Sequence, residues 1–169
     1  MKLTEYLLAE LEREVARSRR ALEQAPAGKY DWKPHDKSMI FGYLADMVAN
    51  IPGWIAMIVS QDELDIAPKD GPRQARASLN TSTEYLQALE KSSAGALTAL
   101  RGTNEAHLMT PWRLLAGGKV VATTPRYEMI RDTLNHWVHH RGQMTVYLRL
   151  MEAKVPALYG PSADDQRYD

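Results

Sequence analysis

The stretch HWVHHRGQMTVYLRL, from His136 to Leu150, contains three of the chain's five histidines within five residues. Its apolar residues recur at the three- and four-residue steps of an α-helix. On a helical wheel one face collects Met129, Thr133, His136, His140, Met144, Tyr147 and Met151. The pattern predicts a long last helix that begins near Thr124–Pro125 and ends at about Ala153.

Three earlier segments have the same helical periodicity and are bounded by caps and helix breakers. They run from a Thr4 cap to just before Pro26, from a Ser38 cap to the loop that starts at Gln61, and from about Arg73 to a stop at Gly102. Pro52 and Gly53 interrupt the second segment and are expected to kink it.

Two short apolar runs flank Gly117–Gly118 between the third and fourth helices. They are typical of a small β-hairpin, with an irregular loop as the alternative. The predicted fold class is therefore all-α, a four-helix bundle with a β-hairpin insertion before the last helix. We expect one domain over residues 1–155 and an irregular tail over 156–169.

Composition excludes several classes of function. The 169 residues carry 21 basic and 21 acidic side chains, so no net charge attracts nucleic acid or an anionic membrane. The absence of cysteine excludes disulfides, thiolate metal ligands and a cysteine nucleophile. No apolar run has the length of a membrane span or a signal peptide, and a cytoplasmic location is expected.

His136 and His140 lie four residues apart, so their side chains project from one face of the last helix. Two imidazoles at this spacing can bind one metal ion, provided that another helix supplies a third ligand. The alternative is a neutral, buried and hydrogen-bonded pair. His139 lies nearer the edge of the face and is a weaker candidate.

Four stretches together resemble the DinB/YfiT-like family: YDWKPHDKSM (30–39), NIPGW (50–54), HWVHHRGQMTVYLRL (136–150) and VPALYGPSADD (155–165). The resemblance implies a four-helix bundle, often a homodimer, in a family linked to stress responses. Many members hold a divalent metal such as zinc or nickel through three histidines. Some are transferases that use a low-molecular-weight thiol such as bacillithiol, mycothiol or glutathione.

The resemblance places two of those three histidines at His136 and His140. The third belongs five residues before Pro52, where this chain has Met47. A thioether suits Cu(I) better than zinc or nickel, so we expect a divalent metal to be held weakly or not at all. His35 and His107 are alternative third ligands, although neither has a spacing that favours it.

The face of the histidine pair also defines a predicted pocket. Gln143 is placed to hydrogen-bond one imidazole, while Met47 and Met144 are apolar members. Tyr147 is either a proton donor or a packed side chain with its hydroxyl bonded. Trp32, Trp54 and Trp112 either line the end of the pocket, form part of a dimer contact or fill the core.

Two neighbours of the pair have structural interpretations. Arg141 points away from the histidines and is expected to pair with an acid on a neighbouring helix. Gly142 either admits a close helix or is incidental. Glu10 and Glu14 are possible inward acids of a di-iron bundle, but no Glu-x-x-His motif accompanies them.

Two hypotheses of function follow. In the first, the chain is a metal-dependent hydrolase or thiol S-transferase with an incomplete metal site. In the second, it is a non-catalytic bundle that binds a small apolar ligand or acts only as a dimer. No nucleic-acid or membrane partner is expected in either case.

Overall fold

The computed structural model describes residues 1–69 and 79–168. These residues are mostly helical and include a small three-stranded sheet. The elements in chain order are α1 (Leu3–Glu23), α2 (Phe41–Asn50), α3 (Pro52–Ser60), β1 (Glu63–Asp65), α4 (Ser82–Gly102), α5 (Glu105–Leu108), β2 (Pro111–Ala116), β3 (Lys119–Pro125) and α6 (Arg126–Leu150). The described residues thus form six helices, where the sequence predicted four.

Helix α1 packs against both α4 and α6, and buries an apolar stripe that includes Leu7, Leu11 and Leu22. It begins at Leu3, so the predicted cap at Thr4 is wrong. The reason is that two glutamate side chains accept hydrogen bonds from the free backbone amides at the start of the helix. Glu5 accepts from the Lys2 amide at 3.0 Å, and Glu105 accepts from the Leu3 amide at 2.7 Å.

The second predicted segment is divided at Pro52 into α2 and α3, which are bent by 46°. The predicted kink is confirmed. Its cause is the missing proline amide, which cannot donate within the preceding helix. Ser38 does not cap α2. Instead the amides of Phe41 and Gly42 donate to loop carbonyls at 2.7 and 2.8 Å.

Helix α4 is capped by Thr81, whose hydroxyl accepts from the Glu84 amide at 3.2 Å. The predicted start at Arg73 lies outside the described residues, and the residues from Leu79 to Thr81 precede the helix. The predicted stop at Gly102 is confirmed. Ser92 of α4 donates to the Ala49 carbonyl at 2.6 Å and so joins α4 to α2.

The small sheet has the strand order β1-β2-β3. Strands β2 and β3 form an antiparallel hairpin around Gly117 and Gly118, whose φ angles of 61° and 79° suit glycine in a two-residue hairpin turn. Strand β1, which the sequence did not predict, pairs in parallel with β2. Asp65 at its end accepts the amides of Gly117, Gly118 and Ala67 at 3.0, 2.6 and 2.9 Å.

Helix α6 packs against α1, α2 and α3 and carries the histidines. It begins at Arg126, whose buried guanidinium donates to the carbonyls of Ile58 and Gln61. These bonds join the start of α6 to the end of α3. Further along α6, the indole of Trp137 donates to the Val48 carbonyl at 2.7 Å and joins this helix to α2.

Residues 152 to 168, which include the described part of the predicted tail, contain no helix or strand. It is nevertheless bound to α1, because Arg17 and Arg20 donate to the carbonyls of Leu158 and Ala157 at 2.9 and 3.1 Å. Asp165 accepts from the Ala157 amide at 3.0 Å and fixes the turn.

Within the described residues, no single helix is long and apolar enough to cross a membrane. Helices α2 and α3 reach the necessary length and composition only as a pair, across their bend. Most of α2 is buried inside the protein.

Candidate functional site

His136 and His140 meet on one face of α6. Their Nε2 atoms lie 2.6 Å apart, within hydrogen-bonding distance. His140 is buried, with 8% of its surface exposed, whereas His136 is more open and lines a neighbouring cavity. His139 is exposed, and its ring centroid lies 5.3 Å from that of His140.

Gln143 orients the inner imidazole. Its Oε1 lies 2.8 Å from Nδ1 of His140, so Nδ1–H donates to the amide oxygen. The Nε2 atom of a neutral His140 then carries the lone pair, and Nε2–H of His136 donates to it. Gln143 therefore selects the tautomer in which His140 presents an acceptor toward His136.

The outer imidazole favours its neutral form. Burial lowers the pKa of His136 below its ordinary value of 6.5, and the neighbouring His140 and His139 lower it further. A neutral imidazole is the form that binds metal ions and that can accept a proton near neutral pH.

The described residues do not provide the three ligands that a tight zinc or nickel site needs. No group of three or more His, Asp or Glu side chains among them is arranged to hold a metal ion. His35 is exposed, and its Nδ1 accepts from the Lys37 amide at 3.1 Å. His107 is bound to the Val59 carbonyl, with its Nε2 at 2.9 Å.

The other predicted pocket residues belong to the apolar core. Met47 and Met144 are buried in the core cluster. The hydroxyl of Tyr147 donates to the Met39 carbonyl at 3.1 Å, and the Tyr147 ring packs edge-on against Trp32. This geometry favours the packed interpretation of Tyr147 over that of a proton donor.

An apolar cavity of about 310 Å³ opens beside His136. It lies between α3, α6 and the small sheet, and is lined by Trp54, Met57, Ile58, Leu64, Ile66, Trp112, Leu114, Met129, Asp132, Thr133 and His136. The Trp54 ring packs edge-on against His136, with 5.5 Å between ring centroids. Met47, Gln143, Met144 and Tyr147 are not among the residues that line it.

Sequence reasoning missed the contribution of the sheet to this cavity. Leu64 and Ile66 come from β1 and the residue after it, and Leu114 comes from β2. The predicted hairpin did contain an indication of this contribution. Trp112 and Leu114 lie two residues apart, so in a β-strand their side chains lie on the same face of the sheet. Nothing in the sequence indicated that β1 joins them.

Arg141 turns away from the histidines, as predicted, and its acidic partner is Glu14 of α1. Both side chains are buried, and Arg141 donates to the Glu14 carboxylate and to Ser18 Oγ, the latter at 3.0 Å. Tyr159 and Arg17 also donate to this carboxylate. The role of Glu14 is thus to neutralise a buried arginine, which confirms the structural interpretation of Arg141.

A Cβ atom at Gly142 would meet nothing within 4 Å outside its own helix, so no neighbouring element approaches it. Of the two interpretations of Gly142, the one in which it admits a close helix is therefore wrong. The glycine lies on the exposed side of α6.

Comparison with known proteins agrees with the fold. Two solved structures of DinB-like proteins are similar to this chain, each with a TM-score of 0.68. The protein from Bacillus cereus is 19% identical, over 92% of this chain and 97% of that one. The protein from Bacillus subtilis is 15% identical, over 96% of this chain and 99% of that one.

No curated protein matches the sequence. The model of the DinB family, in contrast, matches residues 1–168. The chain therefore belongs to the DinB family.

Proposed function

We propose that this chain binds a small apolar molecule in the cavity beside His136. The observation that carries the proposal is the cavity itself, whose volume of about 310 Å³ lies at the lower end of the range for ligand sites. Its walls are mainly aliphatic and aromatic. The polar groups of Asp132, Thr133 and His136 occur on one wall, which α6 provides.

The size and charge of the cavity define the ligand class. An apolar cavity of about 150 Å³ accommodates one benzene ring, so this cavity has room for a molecule of two rings. No lysine or arginine is among its lining residues. An anionic ligand would therefore lose its hydration without gaining a counter-charge. The carboxylate of Asp132 on the wall is already paired with Arg131, so a neutral ligand is favoured over a cation as well.

Naphthalene binding, measured by equilibrium dialysis, tests this proposal. Leu114→Trp should fill the cavity and abolish binding. Val121→Trp is the matched control, because Val121 lies on the neighbouring strand, is exposed and does not line the cavity. Equal binding by the wild type and Leu114→Trp, or none by the wild type, would contradict the proposal.

A second candidate function is suggested by the facing Nε2 atoms of His136 and His140 and by the orientation that Gln143 gives to His140. In this proposal the pair holds a divalent metal, zinc or nickel, and the protein is a hydrolase or a thiol S-transferase. With two protein ligands and a thioether at position 47, the metal should be held weakly.

Elemental analysis of protein purified without a chelating tag tests the second candidate. The wild type should carry well under one equivalent of zinc or nickel, and Met47→His should raise the affinity by orders of magnitude. His140→Ala in the Met47→His background is the control and should remove the gain. An unchanged affinity in Met47→His contradicts this candidate.

We also propose that α1, the bent α2–α3 pair, α4 and α6 are the four members of a bundle, and that two copies assemble as a homodimer. The support is the packing of these helices and the family membership. Light scattering during gel filtration should give twice the mass of one chain. The mass of a single chain would contradict the dimer.

A further inference from the structure

We infer that the molecule bound in the cavity carries a hydrogen-bond donor, such as a phenolic hydroxyl, which donates to Nδ1 of His136. This inference rests on the proposed function and narrows its ligand to neutral two-ring compounds with a hydroxyl group. Ligand cavities are mainly apolar, and the few polar groups on their walls fix the orientation of the bound molecule.

The position of His136 on α6 turns its Nδ1 atom toward the cavity. The other α6 residues that line the cavity all precede His136 in the helix: Met129, Asp132 and Thr133. His140 follows it and is not among the lining residues, and Nε2 of His136 points toward His140 Nε2 at 2.6 Å. In an imidazole ring the Cγ–Nδ1 edge lies opposite Nε2, so Nδ1 is the ring nitrogen on the cavity side.

The His136 ring is open to a ligand. His136 is exposed and lines the cavity, and it packs against Trp54, which is another part of the cavity wall. Within the described residues, the His136 ring makes one hydrogen bond, and that bond is at Nε2. The Nδ1 atom therefore has room for a hydrogen bond with a ligand.

The hydrogen-bond chain that begins at Gln143 makes Nδ1 of His136 an acceptor. Oε1 of Gln143 accepts from Nδ1–H of His140 at 2.8 Å, and Nε2 of His140 then accepts from Nε2–H of His136. A neutral imidazole carries one ring proton, so Nδ1 of His136 carries a lone pair. A ligand must therefore bring a donor to this nitrogen.

Two competing explanations must be separated from this one. Asp132 and Thr133 carry side-chain oxygens on the same wall, and a ligand hydroxyl that donated to either of them would not respond to replacement of His136. A rotation of the Gln143 amide would reverse the chain and place a proton on Nδ1 of His136. The ligand would then need an acceptor in place of a donor.

Four two-ring probes provide the test. Naphthalene has no polar group, 1-naphthol and 2-naphthol carry a hydroxyl at different positions, and isoquinoline carries only an acceptor. Affinities are measured by equilibrium dialysis at pH 7.5, where a phenolic hydroxyl keeps its proton, with EDTA to keep metal from the histidine pair. The proteins are the wild type, His136→Phe, which keeps an aromatic ring, and His139→Phe, the matched control at an exposed histidine outside the cavity.

His136→Phe should weaken the binding of at least one naphthol by about fivefold and leave that of naphthalene within about twofold. His139→Phe should leave all the affinities unchanged. In His136→Phe, unchanged binding of both naphthols, losses equal to that of naphthalene, or a loss confined to isoquinoline overturns the inference, while naphthalene binding still supports the proposed function. No binding of any probe to the wild type overturns both.

Nitrogen NMR of the wild type tests the same hydrogen bond without a variant. Nδ1 of His136 should have the chemical shift of an unprotonated ring nitrogen. It should move upfield when the preferred naphthol is added, because it then accepts a hydrogen bond, and naphthalene should not produce this movement. A protonated Nδ1, or the same response to both compounds, overturns the inference.

Discussion

Replacing Glu14 by glutamine should destabilise the protein more than the same replacement of an exposed glutamate on α1. The carboxylate is 1% exposed and accepts hydrogen bonds from Arg141, Arg17 and Tyr159. Arg141 is fully buried, so the variant leaves a guanidinium without its counter-charge. Breaking a buried ion pair in this way costs about 3–5 kcal/mol.

The expected change in melting temperature follows from the size of the chain. For a protein of this length, about 1 kcal/mol corresponds to about 2–4 °C, so Glu14→Gln should melt about 6–20 °C lower. Glu10→Gln is the matched control one turn earlier on the same helix. Glu10 pairs with an exposed Arg13 at 3.7 Å, and its loss should cost under about 1 kcal/mol.

The pH dependence provides a second readout. Burial alone raises the pKa of Glu14, but the charge of Arg141 and the hydrogen bonds from Arg141, Tyr159 and Arg17 outweigh it and leave the pKa below 4.5. A lowered pKa contributes stability that is complete above the unfolded value and is lost as the pH falls through the folded value. The advantage of the wild type over Glu14→Gln should therefore shrink below about pH 4.5.

Urea denaturation of the three proteins between pH 3 and pH 7 measures these differences. Equal free energies of unfolding for Glu14→Gln and Glu10→Gln at pH 7 would refute the argument. A difference between wild type and Glu14→Gln that grew as the pH fell would refute the assignment of a lowered pKa.

Three further substitutions have expected effects on thermal stability, each measured by circular dichroism. Gly142→Ala should stabilise the protein by about 0.5–1 kcal/mol, because alanine favours the helix and its Cβ meets no neighbour; a loss would show a hidden contact. Gly118→Ala should destabilise it by about 1–2 kcal/mol, because φ is 79° there; an unchanged melting temperature would contradict the turn geometry. Asp65→Asn should lower the melting temperature, since the amides of Gly117, Gly118 and Ala67 lose a charged acceptor; an unchanged value would show that the carboxylate contributes little.

The sequence predicted correctly the structural features that depend on residues close together in the chain. The turn at Gly117–Gly118 and the break at Pro52 depend on the conformations of glycine and proline, and both occur where the sequence placed them. The start of α1 could not be located, because Glu105, which accepts from the Leu3 amide, lies about 100 positions away. Distant partners leave no periodic signal in the sequence.

The candidate site was likewise predicted only where its geometry depends on residues close together in the chain. The spacing of His136 and His140 correctly placed both rings together, and the proximity of Gln143 followed from the helical repeat. The cavity could not be predicted, because Leu64 reaches it through the parallel pairing of β1 with β2. That pairing depends on tertiary contacts, which a single sequence does not reveal.

The parallel pairing has a kinetic consequence. Glu63 and Arg113 are partners across about 50 positions of sequence, so their pairing costs more loop-closure entropy than the local contacts of the helices. We expect the wall that β1 and β2 give the cavity to assemble late, after the rate-limiting barrier to folding. A bound ligand should then slow unfolding and leave the rate of folding unchanged.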